Sequence, residues 1–353
     1  MGLREEVESA KRKLGEIAQT KVKVALFGQP GAGKSSLINA FVGHNAAPTG
    51  PTTDKTTKMQ IVEYRGLEFC DLPGYDTTRF PKATYFETFG IMDFDLFLCV
   101  FEGKLHEADT AFFRELTGAG KVCLFVRNKA DTIWQEGRTP QDLRDEIRGD
   151  IRRQVHSEAV RLHFTSCRTK EGVADLAQDI ENHLDSAKRE RWIRSAKAHT
   201  VESLANKREI AEKHIAWASA VSVANAFNPV PGVDLAVDLG TLLSLLHSIR
   251  ADFGLDDDEA LKLKANVIPV VQPLVDKLVK WSTREGLFLL LKQFAKRQTV
   301  RQIAKYIPFV GQAVAAIVGY GITVSVGDSF LETCHEAAKA ILEEELKVGP
   351  CGG

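Results

Sequence analysis

The stretch Gly28–Ala40 reads GQPGAGKSSLINA and directly follows the apolar run VKVALF, Val22–Phe27. Gly28, Gly33, Lys34 and Ser35 meet the pattern G-x-x-x-x-G-K-[ST] in full, between a strand-like and an amphipathic helical segment. A chance glycine turn with a capping serine would not need both flanks. Gly31 and Gly33 can take positive φ and carry no side chain, so the N–H groups of Gly31, Ala32 and Gly33 can turn inward around a polyphosphate. The helix beginning near Lys34 aims its own first N–H groups, those of Lys34, Ser35 and Ser36, and its positive dipole end at the same anion. Lys34 is expected to reach the β and γ phosphates, and the Ser35 hydroxyl to ligate Mg²⁺.

The base is read further along. RNKAD places Asn128, Lys129 and Asp131 at the end of the apolar run KVCLFV, where a parallel sheet displays its ligand loops. A carboxylate at Asp131 can accept from both N1–H and the exocyclic amino group of guanine, a donor pair that adenine lacks. Asn128 and Lys129 are expected to brace this loop against the phosphate loop and cover one face of the base. In LEFCDLPGYD, Asp71 ends a β-like run and is expected to hold Mg²⁺ through water, while Gly74 offers its N–H to a γ phosphate. Loss of that phosphate would release the loop after Gly74. The threonine-rich stretch APTGPTTDKTTKMQ is expected to supply one threonine to both Mg²⁺ and the γ phosphate. Thr53 is the choice, with Thr52, Thr56 and Thr57 left open because spacing fixes no register. In LHFTSCRTKEG the Ser166–Cys167 backbone is expected to support the guanine carbonyl. Together these residues specify GTP and GDP as ligands, Mg²⁺ as the cation, and Lys34, Thr53 and Gly74 as catalytic groups.

The ordered set GQPGAGKS, PTTDKTT, DLPG, NKAD and TSC resembles the translation-factor-related class of GTPases. More narrowly, FCDLPGYDTTRFPKATYFE and FDLFLCVFEGKLHEADTAFFREL are similar to the immunity-related GTPases, a dynamin-like group with bacterial relatives. NPVPGVDLAVDLGTLL and IPFVGQAVAAIVGYG resemble that group's helical domain. The resemblance implies a Ras-like GTPase domain of mostly parallel sheet, an all-α domain built from both chain ends, GTP-dependent self-association through the GTPase domain, and action at membranes. Two departures bear on mechanism. Tyr75 follows DLPG where Ras-like enzymes carry the glutamine that orients the attacking water, so slow intrinsic hydrolysis is expected, with water positioned by a second molecule. Gly31 stands where potassium-activated members carry asparagine, which argues against potassium dependence. Arg79, in the YDTTRF segment, is the candidate arginine supplied in trans.

A chain of 353 residues accommodates about two domains. The expected division is an N-terminal helix over 1–20, a GTPase domain over 21–186 and a helical domain over 187–353. The strand-like runs are VKVALF, MQIVEY, LEFCDL, DLFLCVF, KVCLFV and RLHFT, with Arg65 and Gly66 closing a hairpin between the second and third. Beyond Ala187 the strand signal ends. Leu3, Val7, Leu14 and Ile17 give the first segment an amphipathic helical face. Charged residues make up 26% of the chain with a formal net charge of -1, which gives no basic field for nucleic acid. The cysteines include no C-x-x-C pair and read as reduced thiols of a cytoplasmic protein.

The apolar segment Tyr306–Gly327 approaches the length of a membrane span, but alanine and glycine dominate it and a buried hairpin is the expectation. Just before it, KLVKWSTREGLFLLLKQFAKRQTVRQIAK interleaves Trp281, Phe288 and Phe294 with basic residues, the composition of a helix lying on an anionic lipid surface. The leading expectation is therefore a cytoplasmic, peripherally membrane-associated GTPase. A GTP-dependent switch recruiting a protein partner, and a ribosome-assembly GTPase binding RNA, are the alternatives.

Overall fold

The computed structural model describes residues 3–48, 59–158, 160–226, 234–297 and 311–347. The chain divides into two units, one spanning Thr20–His199 and the other combining Met1–Gln19 with Thr200–Lys347. The first is built on strands β1 (Val22–Gly28), β2 (Gln60–Tyr64), β3 (Leu67–Asp71), β4 (Leu96–Phe101), β5 (Cys123–Arg127) and β6 (Leu162–Phe164). They lie in the order β2-β3-β1-β4-β5-β6. Only β2 runs antiparallel, joined to β3 by a two-residue turn in which Arg65 (φ 50°) and Gly66 (φ 83°) are both left-handed. That backbone matches the twist of the strands it connects.

The parallel neighbours require crossovers, supplied by α2 (Lys34–Val42), α3 (Lys82–Thr88), α4 (Glu107–Gly118) and α5 (Pro140–Val155), and α6 (Val173–Asn182) follows the last strand. Strand alternation sorts the core into two layers. Val22, Val24 and Leu26 pack with Phe41 of α2, Ile180 of α6 and Trp192 of α7 (Ser186–Ser195). Ala25 and Phe27 face the opposite layer, with Tyr85, Phe112 and Ile151 from α3, α4 and α5. Local chemistry sets the start of α5: the Thr139 hydroxyl accepts from Asp142 N, the Asp142 carboxylate accepts in return from Thr139 N, and Pro140 stands in the first turn.

The second unit contains α1 (Leu3–Gln19), α8 (Val201–Ala226), α9 (Asp234–Asp252), α10 (Asp258–Val267), α11 (Gln272–Trp281), α12 (Arg284–Arg297) and α13 (Gly311–Lys347). On α1, Ala10 is buried and Leu14 and Ile17 half-buried, with Lys13 Nζ 5.2 Å above the Trp217 ring of α8. Helices α8 and α13 lie along each other, burying Ile210, Ala211 and Ile215 on one and Val326, Phe330 and Cys334 on the other. A Cβ at Gly327 would meet the Ile215 side chain at 2.9 Å, so glycine permits the close approach.

This arrangement corrects one expectation. Residues 311–327 form no hairpin but open a continuous helix of 37 residues. Gly319 and Gly321 each cost about 1 kcal/mol of helix propensity against alanine, and packing along α8 outweighs that local preference. Pro308, the remaining element of the expected turn, lies outside the described residues, as does the side chain of Phe294. Among the described residues no helix is long and apolar enough to cross a membrane.

Candidate functional site

Because β1, β3, β4, β5 and β6 are parallel, the loops after them leave one edge of the sheet. In the loop after β1, Gly28, Gly31 and Gly33 have φ of 114°, 81° and 89°. A Cβ at Gly28 would stand 2.2 Å from the Val100 carbonyl oxygen, and one at Gly33 would stand 2.3 Å from Asn128 Nδ2. Glycine is therefore required twice over at those positions, by dihedral and by space. Lys34 is only 8% exposed. Its Nζ donates to the Gly28 and Gln29 carbonyls at 3.1 and 3.2 Å and lies 3.7 Å from Asp71 Oδ1. The loop thus curls around a cation, with α2 beginning at its rim. No side chain caps that helix, which leaves its first N–H groups available to an anion. Ser35 and Ser36, half-buried, occupy its first turn.

A buried amide ties three loops together. Asn128, 2% exposed, donates from Nδ2 to the Ala32 carbonyl at 2.8 Å and accepts at Oδ1 from the Thr165 hydroxyl at 3.1 Å. The Cys167 thiol, pushed up to a pKa of about 11 by burial and so protonated, donates to the same oxygen at 3.8 Å. The phosphate loop, the NKAD segment and the TSC segment are consequently held in one register. Lys129 takes a left-handed backbone (φ 55°), and its Nζ pairs with Glu102 Oε2 at 2.5 Å.

Asp131 Oδ2 accepts the Nε and Nη2 donors of Arg168 at 2.9 and 2.6 Å. A hydrogen bond from the Ser166 hydroxyl, then that of Arg168, holds the Asp131 carboxyl below the ordinary aspartate value of 3.8. The Ser166 N–H donates to the Glu171 carbonyl at 2.9 Å. The expected support of the guanine carbonyl by the Ser166–Cys167 backbone therefore narrows to Cys167, because the Ser166 donor is spent inside its own turn.

Beyond β3, Pro73 and Tyr75 are buried and Gly74 is exposed between them. The Tyr75 ring stacks on Phe112 at 4.8 Å and meets Tyr85 edge-on at 5.1 Å. It points into the aromatic core, and its hydroxyl finds no hydrogen-bond partner among the described residues. Tyr85, 1% exposed, donates its hydroxyl to the Pro73 carbonyl at 2.5 Å. Arg79 is exposed, with its guanidinium 5.4 Å from the Phe80 ring centroid. Thr53, with Thr52, Thr56 and Thr57, lies outside the described residues.

The structure thus brings Gly28, Gly31, Ala32, Gly33, Lys34, Ser35, Ser36, Asp71, Asn128, Lys129, Asp131, Ser166 and Cys167 to one edge of the sheet. It also adds contacts that the sequence motifs did not point to: Arg168 on Asp131, Glu102 on Lys129, and the hydroxyl of Thr165, the first residue of the TSC segment, on Asn128. Each joins partners distant in sequence, and no local pattern marks it.

A cation at this edge would have to suit a carboxylate at Asp71 and a hydroxyl at Ser35, hard oxygen donors that fit Mg²⁺. Among the described residues no group of three or more His, Cys, Asp or Glu converges to hold a metal without further oxygen ligands.

The profile of the family described as Interferon-inducible GTPase (IIGP) matches residues 2–345. Interferon-inducible GTPase 5 of Bos taurus is 26% identical over 364 residues, covering 94% of this chain and 77% of that protein. T-cell-specific guanine nucleotide triphosphate-binding protein 2 of Mus musculus is 25% identical over 384 residues, covering 99% of this chain and 88% of that protein. Among solved structures, the G domain of the T. maritima FeoB iron transporter is 24% identical, with a TM-score of 0.31, and covers 46% of this chain and 98% of that one. With both the sheet unit and the helical unit inside the matched range, the chain belongs to the interferon-inducible GTPase family.

Proposed function

We propose that the protein binds GTP at the edge formed by the loops after β1, β3, β5 and β6 and hydrolyses it to GDP and phosphate. The observation that carries this reading is the Asn128 junction, which ties the phosphate loop, the NKAD segment that carries Asp131 and the TSC segment to one another. Asp131 accepts from guanine N1–H and the amino group, and the Cys167 N–H donates to the guanine carbonyl. Lys34 exchanges its loop carbonyls for β and γ phosphate oxygens. The Gly74 N–H donates to the γ phosphate. Water attacks the γ phosphorus and the bond to the bridging oxygen breaks, so catalysis by these residues consists of positioning and charge neutralisation. Ser35 and Asp71 would hold Mg²⁺, which supplies further neutralisation of the phosphate charge when bound.

Self-association completes the proposal. Tyr75 is turned into the aromatic core, so the position after Gly74 contributes no side chain to orient water. A second copy, docking through the nucleotide edge in the GTP state, supplies that group. Peripheral membrane action is supported by Phe288 and Leu289 on α12, 48% and 53% exposed on the same helix as the exposed Arg284.

The test is phosphate release from GTP with Mg²⁺ over a wide range of protein concentration, with Lys34→Ala as blank. A rate per molecule that rises with concentration supports the reading. A flat, slow rate removes self-activation and leaves a switch that recruits a different partner.

A further inference from the structure

Tyr85 belongs to α3, and nothing in the phosphate-binding motifs refers to it. Its ring is locked by Tyr75 at 5.1 Å, Phe89 at 4.7 Å and Phe112 at 5.2 Å. Burial raises the pKa of its phenol, so the hydroxyl stays a donor at any working pH. The acceptor, at 2.5 Å, is the Pro73 carbonyl. That carbonyl shares a peptide plane with the Gly74 N–H, and the described backbone contains no cis bond. In a trans peptide the C=O and N–H point in opposite directions. Drawing the Pro73 oxygen into the aromatic core therefore turns the Gly74 N–H out to the exposed side on which Gly74 itself lies. On the far side of Gly74, its own carbonyl accepts from the Thr77 hydroxyl at 3.4 Å.

We infer that Tyr85 is the positioning residue of the γ-phosphate site: its hydroxyl anchors the Pro73 carbonyl and so presets the direction of the Gly74 N–H. The inference rests on the proposed contact between Gly74 and the γ phosphate. Without the anchor the Pro73–Gly74 peptide is free to rotate, and the N–H must be oriented at the moment GTP binds. GDP, which has no γ phosphate, does not report on this peptide at all.

The experiment uses the full chain as wild type, Tyr85→Phe and Phe89→Leu. Affinities for GDP and for a GTP analogue with an imido β–γ bridge are measured by fluorescence titration with Mg²⁺, alongside single-turnover hydrolysis and thermal unfolding. Tyr85→Phe keeps the ring packing and loses only the hydroxyl. Its GDP affinity is expected to stay within about twofold, whereas its analogue affinity and single-turnover rate fall about tenfold, the effect of one hydrogen bond to a charged group. Phe89→Leu disturbs the same aromatic cluster but keeps the hydroxyl. It is expected to lower the unfolding temperature and leave the ratio of analogue to GDP affinity unchanged. A wild-type ratio in Tyr85→Phe overturns the inference, as does an equal shift in Phe89→Leu, which would make the effect one of packing. If the wild-type chain binds neither nucleotide, the proposed function falls first and takes this inference with it.

Discussion

Replacing Asn128 by alanine removes the side chain that joins three loops, and the structure sets the size of the effect. Two buried groups lose their partner: the Ala32 carbonyl, in a residue 1% exposed, and the Thr165 hydroxyl, in one that is fully buried. An unsatisfied buried group costs about 1–3 kcal/mol, so the pair amounts to roughly 3 kcal/mol when allowance is made for partial relaxation. For a unit of this size about 1 kcal/mol moves the unfolding midpoint by roughly 2–4 °C, which predicts a fall of about 6–12 °C. GDP affinity should drop at least about tenfold, because Gly33 packs directly on Asn128 and loses its register with the base loop. Asn128→Asp is the sharper probe. It keeps the shape and an acceptor for Thr165, but sets a carboxylate oxygen against the Ala32 carbonyl oxygen, so it should be at least as damaging as alanine. Thr165→Val alone should cost about 1 kcal/mol and should cost almost nothing once Asn128 is alanine, giving a coupling of about 1 kcal/mol. Calorimetry and fluorescent GDP displacement measure both quantities. A midpoint shift under about 2 °C with unchanged GDP affinity, or strictly additive effects of the two substitutions, would refute the junction.

Tyr75→Phe removes a buried hydroxyl that lacks a partner among the described residues, so the midpoint should hold or rise and hydrolysis should be unaffected; a large loss of turnover would place Tyr75 in the reaction. Arg168→Ala frees the Asp131 carboxylate from an exposed ion pair worth up to about 1 kcal/mol, so guanine nucleotide affinity should rise by as much as about fivefold. A fall instead would mean that Arg168 touches the nucleotide. Asp131 has a depressed pKa in the folded chain, so its charge and its contribution are present above the unfolded value and lost only as pH falls through the lower folded one. Affinity for GDP should therefore show no Asp131-dependent decline from neutrality down to about pH 4, and a decline absent from Asp131→Asn but setting in near pH 6 would contradict this. Trp192→Ala should destabilise the sheet unit by about 3–5 kcal/mol, since the ring fills the layer between Phe41 and Phe69. A surface-like change under about 0.5 kcal/mol would show that α7 is dispensable to that layer.

What could be read from the chain in advance was whatever its local chemistry demands. GQPGAGKS and NKAD combine glycines at fixed offsets with a lysine, an asparagine and an acceptor-only carboxylate, residue types that a phosphate loop and a base-reading loop call for. The β2–β3 hairpin was legible because Arg65–Gly66 separates two alternating runs. The glycine-rich segment before Gly327 was misread as a hairpin. Its propensity is poor, and the partner that makes a long helix of it, α8, lies about a hundred positions earlier.

Sequence alone therefore determined the order of the strands along the chain, the phosphate-loop motif, the position of the NKAD segment and the family resemblance, because these depend on residue type at short spacing. Tertiary structure decided where the side chains outside those spacings go. It buries Trp192 of the highly charged α7 against Phe41 and Phe69, spends the Ser166 N–H on Glu171, sets Arg168 on Asp131, and turns Tyr75 into the aromatic core while Tyr85 reaches back to Pro73. Each of these contacts joins groups whose meeting is fixed by the register of packed strands and helices, and no short-range pattern carries that register.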